Sequence, residues 1–201
     1  MPAGNRHPFA FPGGAHQRRH RPPLYGRYPR YKPWLRDEFV FTCVYCLSRE
    51  TWNRNTSFFG VEHFQPKSVH RQGIVDYANL LYACNECNRI KGAKMLPEDL
   101  HPEFMGWGDD LAVNEDGTIA FLTKRGKKII RWFQLDSTEN NDWRRKHYDI
   151  YRKASSDADV SEFARQQLRD FFGFPKTMPT FPEGSGAALP YSERSNLPEW
   201  Y

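Results

Sequence analysis

Along the chain, apolar and polar positions alternate in two different periods. The run FVFTCVYC from Phe39 has the two-residue period of a short strand leading into a tight turn. Phe58-Phe59-Gly60-Val61 predicts a second strand ending on Glu62 and His63, and Tyr77-Ala78-Asn79-Leu80-Leu81-Tyr82-Ala83 is apolar enough for a buried one. The turn-rich QPKSVHRQG lies between them, and a helix is expected from about Asn85 through NECNRIKGAK, weakening at Gly92. The segment LAVNEDGTIAFLTKRGKKIIRWFQL predicts three strand-like pieces, split by Asp116-Gly117 and by Lys124-Arg125-Gly126. An Asp-Gly pair between alternating runs is a strong hairpin signal. Beyond Ser137, a candidate N-cap, Trp143, His147, Ile150 and Tyr151 keep helical spacing. Val160, Phe163, Ala164, Leu168, Phe171 and Phe172 repeat it, and Gly173 and Pro175 are expected to stop the helix. The elements together predict an α+β fold with a small antiparallel hairpin region and C-terminal helices.

The flanks change this picture. With 201 residues the chain suits one domain with extensions. Residues 1–36 carry Arg6, Arg18, Arg19, Arg21, Arg27, Arg30, Lys32 and Arg36 and no acid, so the net charge of +5 hides a basic segment followed by 165 residues that sum to −3. Seven prolines exclude a long helix there, and interleaved arginines and aromatics suit an arm that pairs with phosphates and stacks on bases. Packing on the chain's own domain is the equal alternative. The expected organisation is a basic Pro/aromatic-rich arm over 1–36, a folded domain over 37–174 and a Pro/Gly-rich tail over 175–201. No run approaches the roughly 20 apolar residues that span a bilayer, and MPAGNRHPFAFPGG holds no apolar leader, so a soluble cytoplasmic protein is expected.

Candidate chemistry is concentrated between residues 43 and 94. Cys43-x-x-Cys46 and Cys84-x-x-Cys87 offer four thiolates with no cysteine left over, which suits a tetrahedral structural Zn²⁺ with Zn–S bonds of about 2.3 Å. The alternative is a pair of redox CxxC motifs. Between and after these knuckles stand Glu62-His63-Phe64-Gln65-Pro66-Lys67, then Asn79-Leu80, then Cys84-Asn85-Glu86-Cys87-Asn88-Arg89-Ile90-Lys91-Gly92. This order resembles the HNH endonuclease family in its His-Asn-Asn, zinc-knuckle form, and the resemblance covers about a quarter of the chain. It implies a ββα-metal finger, two strands and a helix gripping one catalytic cation.

Cutting a phosphodiester needs an activated water and stabilisation of the charge growing on phosphate and leaving oxygen. An imidazole with a reference pKa near 6.5 is mostly neutral at pH 7 and can take a proton from water, so His63 is the expected general base. The resemblance implies that Glu62 binds the catalytic metal. Asn88, at the third motif position, offers a hard neutral oxygen suited to Mg²⁺ or Mn²⁺. By analogy with the family, Asn79 orients the His63 ring or ties the loop. Many members have Asp at the place of Glu62 and His at the place of Asn88, changes that keep the ligand chemistry. Arg89, Lys91 and Lys94 are candidate phosphate contacts on the same helix. His70, His101 and His147 are expected to be exposed or structural.

These residues predict a DNA endonuclease or nickase with one structural zinc and one catalytic ion. EHFQPKS, ACNECNRIKG and the following HPE and DGTIAFLT resemble more particularly the HNH proteins of bacterial anti-phage defence operons, which implies a protein partner such as an ATPase. The competing reading is a zinc-dependent nucleic-acid-binding module without catalysis. Oligomeric state is left open.

Overall fold

The structure, a computed structural model, describes Phe9 and residues 13–18, 20–53, 56–104, 106–156 and 159–172. Its centre is an antiparallel pair, β1 (Phe59–His63) and β2 (Leu80–Cys84), in the register Val61↔Tyr82, Glu62↔Leu81 and His63↔Leu80. Both strands fall where the apolar runs place them. Leu80, Leu81, Tyr82 and Ala83 are all fully buried, which is why β2 reads as continuous rather than alternating apolar sequence. Cys84 then caps the helix α2 (Asn85–Lys91), its Sγ accepting from the Cys87 amide at 3.4 Å.

The chain ahead of β1 departs from the expected strand. Helix α1 (Lys32–Glu38) runs through the boundary expected at residue 36 and buries Trp34 and Leu35, with Tyr31 just ahead of it. Val40 and Phe41 both take left-handed conformations, φ 53° and 57°, as the chain leaves the helix. That corner turns FVFTCVYC into a cap and a knuckle whose two arms meet in an isolated bridge between Thr42 and Arg49. Burial of the Phe41 ring, under the Arg36 guanidinium at 4.7 Å, offsets a backbone conformation that disfavours side chains by roughly 1–2 kcal/mol per residue. Arg36 also grips buried Glu50 through two oxygens at 2.6 Å, and the Tyr82 hydroxyl donates to the same carboxylate.

Residues 13–18 and 20–22 lie along the domain rather than away from it. The Arg18 guanidinium donates to the Leu80 and Ala78 carbonyls at 2.8 and 3.1 Å and sits 5.0 Å from both the Phe39 and Tyr77 rings. His20 contacts buried Asp37 at 2.6 Å, and His16 contacts buried Glu38 at 2.9 Å. His16, Arg18 and His20 thus pack on the domain, whereas Arg21, Arg27 and Arg30 of the same basic segment are exposed.

A second hairpin, β3 (Leu111–Val113) with β4 (Ile119–Phe121), follows the short helix α3 (Trp107–Asp110). It turns where Asp-Gly predicts, with Gly117 at φ 83°. The third strand-like piece is instead the helix α4 (Lys124–Phe133). Thr123 caps it by accepting from the Gly126 amide at 3.0 Å, and Ile129, Ile130 and Phe133 bury one face. Gly126 marks a close approach, not a turn: a Cβ there meets the Asp110 carbonyl oxygen at 2.1 Å. Helices α5 (Thr138–Ser156) and α6 (Glu162–Phe172) complete the described chain, and the Ser137 hydroxyl accepts from the Asn140 amide as an N-cap should. Thr51 and Trp52 both donate to the Phe171 carbonyl at 3.0 Å, fastening α6 beside the knuckle. The expected stop at Gly173 and Pro175, and the tail over 175–201, lie outside the described residues.

Gly126→Ala forces α4 away from α3 and is expected to destabilise the chain by about 1–3 kcal/mol in urea unfolding. An unchanged midpoint means that the spacing between the two helices is soft.

Candidate active site and zinc knot

The two CxxC segments meet. Leu47, at φ 54°, closes the first knuckle with its amide on the Cys43 carbonyl, and the Val44 amide reaches the Tyr82 carbonyl on β2 at 3.0 Å. The second knuckle is the N-terminus of α2. The four Sγ atoms lie within 4.8 Å of one another, and Cys46 and Cys84 approach to 3.8 Å. A tetrahedron with 2.3 Å bonds has edges of about 3.8 Å, so the donor set and its size fit Zn²⁺. Two separate redox CxxC motifs would not need to meet, so the convergence of all four sulfurs at one point favours the metal reading over the redox one. Hydrogen bonds from Cys43 first, then Cys46 and Cys87, hold Cys84 far below the ordinary thiol range, and Cys43 is the largest cause raising Cys46 and Cys87. Packed this tightly, the sulfurs ionise together only around a cation. Arg144 on α5 lies close enough to Cys46 to feel its charge, and burial pushes its guanidinium down to about 10. It is pinned by donations to the Gly117 and Leu135 carbonyls.

His63 ends β1 with 6% of its surface exposed. Its Nε2 lies 2.9 Å from the Ile74 carbonyl. A carbonyl can only accept, so Nε2 carries the hydrogen and the neutral ring keeps its lone pair on Nδ1. Burial lowers the His63 pKa, the Ile74 contact opposes this, and the charges of Lys67 and Lys91 lower it further. Tyr28 stands edge-on to the ring at 4.8 Å, with the Lys67 ammonium over the Tyr28 face at 4.8 Å.

The hydrogen bonds of the Asn79 side chain among the described residues go to the loop and not to the imidazole. Its Oδ1 accepts from the Gln65 amide at 2.8 Å, and its Nδ2 donates to the Gln65 and Gly73 carbonyls, each at 3.1 Å. The loop it closes ends at Ile74, so Asn79 fixes the carbonyl that in turn fixes the ring. These three bonds belong to the second of the two roles the family suggested.

Lys91 corrects an expectation. Instead of facing solvent beside Arg89 and Lys94, it is 1% exposed, donates to the His63 carbonyl at 2.7 Å and meets Glu62 Oε1 at 2.5 Å. Burial raises the Glu62 pKa and Lys91 opposes it. Asn88 precedes Lys91 by one turn of the same helix, and its side-chain amide makes no hydrogen bond among the described residues. Arg89 and Lys94 are exposed, Arg89 in a surface pair with Glu86 at 2.6 Å. His70 is half-buried, its ring in the space a Gly73 Cβ would need; His101 is buried edge-on to Phe64, and His147 is half-buried against Trp143.

Sequence reasoning missed two contributors to this site and gave a third, Lys91, a different role. Tyr28 comes from the upstream segment with no spacing to announce it, and the Ile74 carbonyl is backbone. Lys91 had a signal: it follows buried Cys87 by four residues, on the inward face of α2.

The family model for HNH endonucleases matches residues 43–94, so this segment is an HNH domain. The Septu protein PtuB of Bacillus thuringiensis is 40% identical over 50 residues, 25% of this chain and 19% of that relative's length. No helix among the described residues is long and apolar enough to cross a membrane.

Elemental analysis is expected to find one zinc per chain. Because a structural zinc contributes on the order of 10 kcal/mol to folding, Cys84→Ser should unfold or aggregate the protein, while His63→Ala should shift its melting curve little. Asn79→Asp should destabilise as much as Asn79→Ala, by about 1–3 kcal/mol, since both lose the donations to two carbonyls. An aspartate variant as stable as the parent in denaturant titration contradicts the loop-tying role.

Proposed function

We propose that this chain is a metal-dependent endonuclease or nickase that hydrolyses phosphodiester bonds in DNA, with His63 as the general base. The observation that carries the reading is the single Nε2 contact of His63. The Ile74 carbonyl spends one ring nitrogen, leaving Nδ1 as the basic atom of a neutral imidazole at the end of β1.

The oxygens of Glu62 and Asn88 are hard donors, and their chemistry fits Mg²⁺ or Mn²⁺. Such an ion supplies Lewis-acid stabilisation of the charge that develops on phosphate and leaving oxygen. The protein's own contribution is proton transfer and positioning. Nδ1 of His63 takes the proton of the attacking water, and Nε2–H holds the ring while positive charge develops. Tyr28 packs against the ring, and burial first, then the positive charges of Lys67 and Lys91, bias the resting imidazole toward its neutral form. Asn79 contributes indirectly, through the loop that presents Ile74. One ββα site cuts one strand per engagement, so a duplex break needs a second copy, a partner or two successive nicks.

Arg89 and Lys94, exposed on α2, are suited to hold flanking phosphates. The resemblance to HNH proteins of anti-phage defence operons, together with the similarity to a Septu protein, supports a place as the cutting component of a defence system. In that setting a partner such as an ATPase licenses cleavage.

The test is plasmid nicking with added Mg²⁺ or Mn²⁺. The parent is expected to convert supercoiled DNA to open circles, and His63→Ala to lose that activity by roughly 10²-fold or more. Equal nicking by both rejects the base assignment. Absence of cleavage by the parent on supercoiled, linear and single-stranded DNA and on RNA, with and without a co-purifying partner, favours the binding module.

A further inference from the structure

Helix α4 lies outside the HNH segment and carries five cationic side chains in ten residues with no acidic one. The structure sorts them by what they meet. Arg125 is committed to the domain: its Nη2 lies 2.8 Å from Oδ2 of fully buried Asp110, and it also donates to the Phe104 carbonyl. Lys124, Lys127, Lys128 and Arg131 are exposed on the side away from Ile129, Ile130 and Phe133. Spaced by three and four residues, they form one stripe. Among the described residues, Lys128 is held only by an exposed pair with Asp99 and Lys127 only by the exposed Phe121 ring. Lys124 and Arg131 make no ion pair among the described residues. A helix face that serves only solubility interleaves both signs, and this one is of a single sign.

The stripe is also continuous with the finger. Helix α4 packs against α2, and Gln134, left-handed at the end of α4, lines an open groove of about 500 Å³ together with Arg89, Lys91 and Lys94. Arg131 lies one turn before Gln134. From Lys124 to Arg131 the stripe rises about 10 Å along the helix. One DNA strand presents a phosphate about every 3.4 Å of duplex axis, so roughly three phosphates face that length.

We infer that the outward stripe of α4, Lys124, Lys127, Lys128 and Arg131, is a second phosphate-binding surface that carries the duplex backbone to the groove between α2 and α4. The inference rests on the reading of the finger as a DNA nuclease. It also locates affinity where that reading does not, since the family segment stops at residue 94.

The test is fluorescence anisotropy of a labelled DNA duplex across a salt series with zinc-loaded protein and no added Mg²⁺ or Mn²⁺, so that no cutting is needed. The triple variant Lys124→Gln, Lys127→Gln, Arg131→Gln should reduce the slope of log affinity against log salt by about 2–3, near 0.9 for each phosphate that is no longer neutralised. Its affinity at moderate salt should be roughly tenfold weaker or more. A charge-keeping triple, Lys124→Arg, Lys127→Arg, Arg131→Lys, should bind as the parent does. So should a control triple that removes equal charge from α5, Lys146→Gln, Arg152→Gln, Lys153→Gln. An α4 variant with an unchanged slope overturns the proposal, as does an equal loss in the α5 control or a parent with no salt-dependent binding. Loss of the nuclease reading alone has a different signature, α4-dependent binding by a parent protein that never nicks.

Discussion

Convergence of four sulfurs is the constraint on which the rest of this structure depends. Cys84 ends β2, caps α2 and contributes one of those sulfurs, so a single residue joins strand, helix and metal knot. Holding it against the first knuckle fixes the angle at which α2 leaves the hairpin. That angle carries Lys91 onto the His63 carbonyl and the Glu62 carboxylate. Tyr82 adds a second tie, its backbone holding the first knuckle and its hydroxyl reaching Glu50, which Arg36 of α1 grips. The finger is therefore clamped from both ends of the pair Cys43–Cys46, by backbone on one side and by an ionic network on the other.

Charge inside the finger is arranged around one neutral ring. Two buried or nearby ammonium groups, Lys91 and Lys67, disfavour a positive imidazole, and the only hydrogen-bond partner of the ring among the described residues is a carbonyl. Glu62 is poised differently. Burial works against its charge and Lys91 restores it, so the carboxylate has a counter-charge even with no ion beside it. A buried pair of this kind adds little net stability, but leaving either partner alone is strongly unfavourable. Its consequence is register: the side chain of α2 that pairs with β1 is the one four residues after Cys87.

Much of this is legible in the sequence. Apolar runs announce β1 and β2, the knuckle cysteines announce where α2 begins, and Asp116-Gly117 announces the second hairpin. The failures have particular causes. FVFTCVYC alternates as a strand should, but alternation cannot register two left-handed residues that close a helix. Lys124-Arg125-Gly126 has the composition of a turn, and only the nearby Asp110 carbonyl shows why that glycine is needed inside a helix. Lysines usually face outward, and Lys91 reads that way by type although its spacing from Cys87 places it on the buried face. Motif position narrows the role of Asn79 to two options, and the choice between them lies in three hydrogen bonds to a loop that no motif describes.

The wall beside the imidazole has a consequence for what can be transplanted. Tyr28, which closes one edge of His63, belongs to the stretch before α1 and lies outside residues 43–94, as do the buried Tyr31 and Trp34 that follow it. A fragment cut to the family motif would keep every proposed ligand and the proposed base, but it would lose the Tyr28 ring that packs against the imidazole. The smallest portable unit of this chemistry is thus longer than the motif that identifies it, and grafts onto other scaffolds should begin before residue 28.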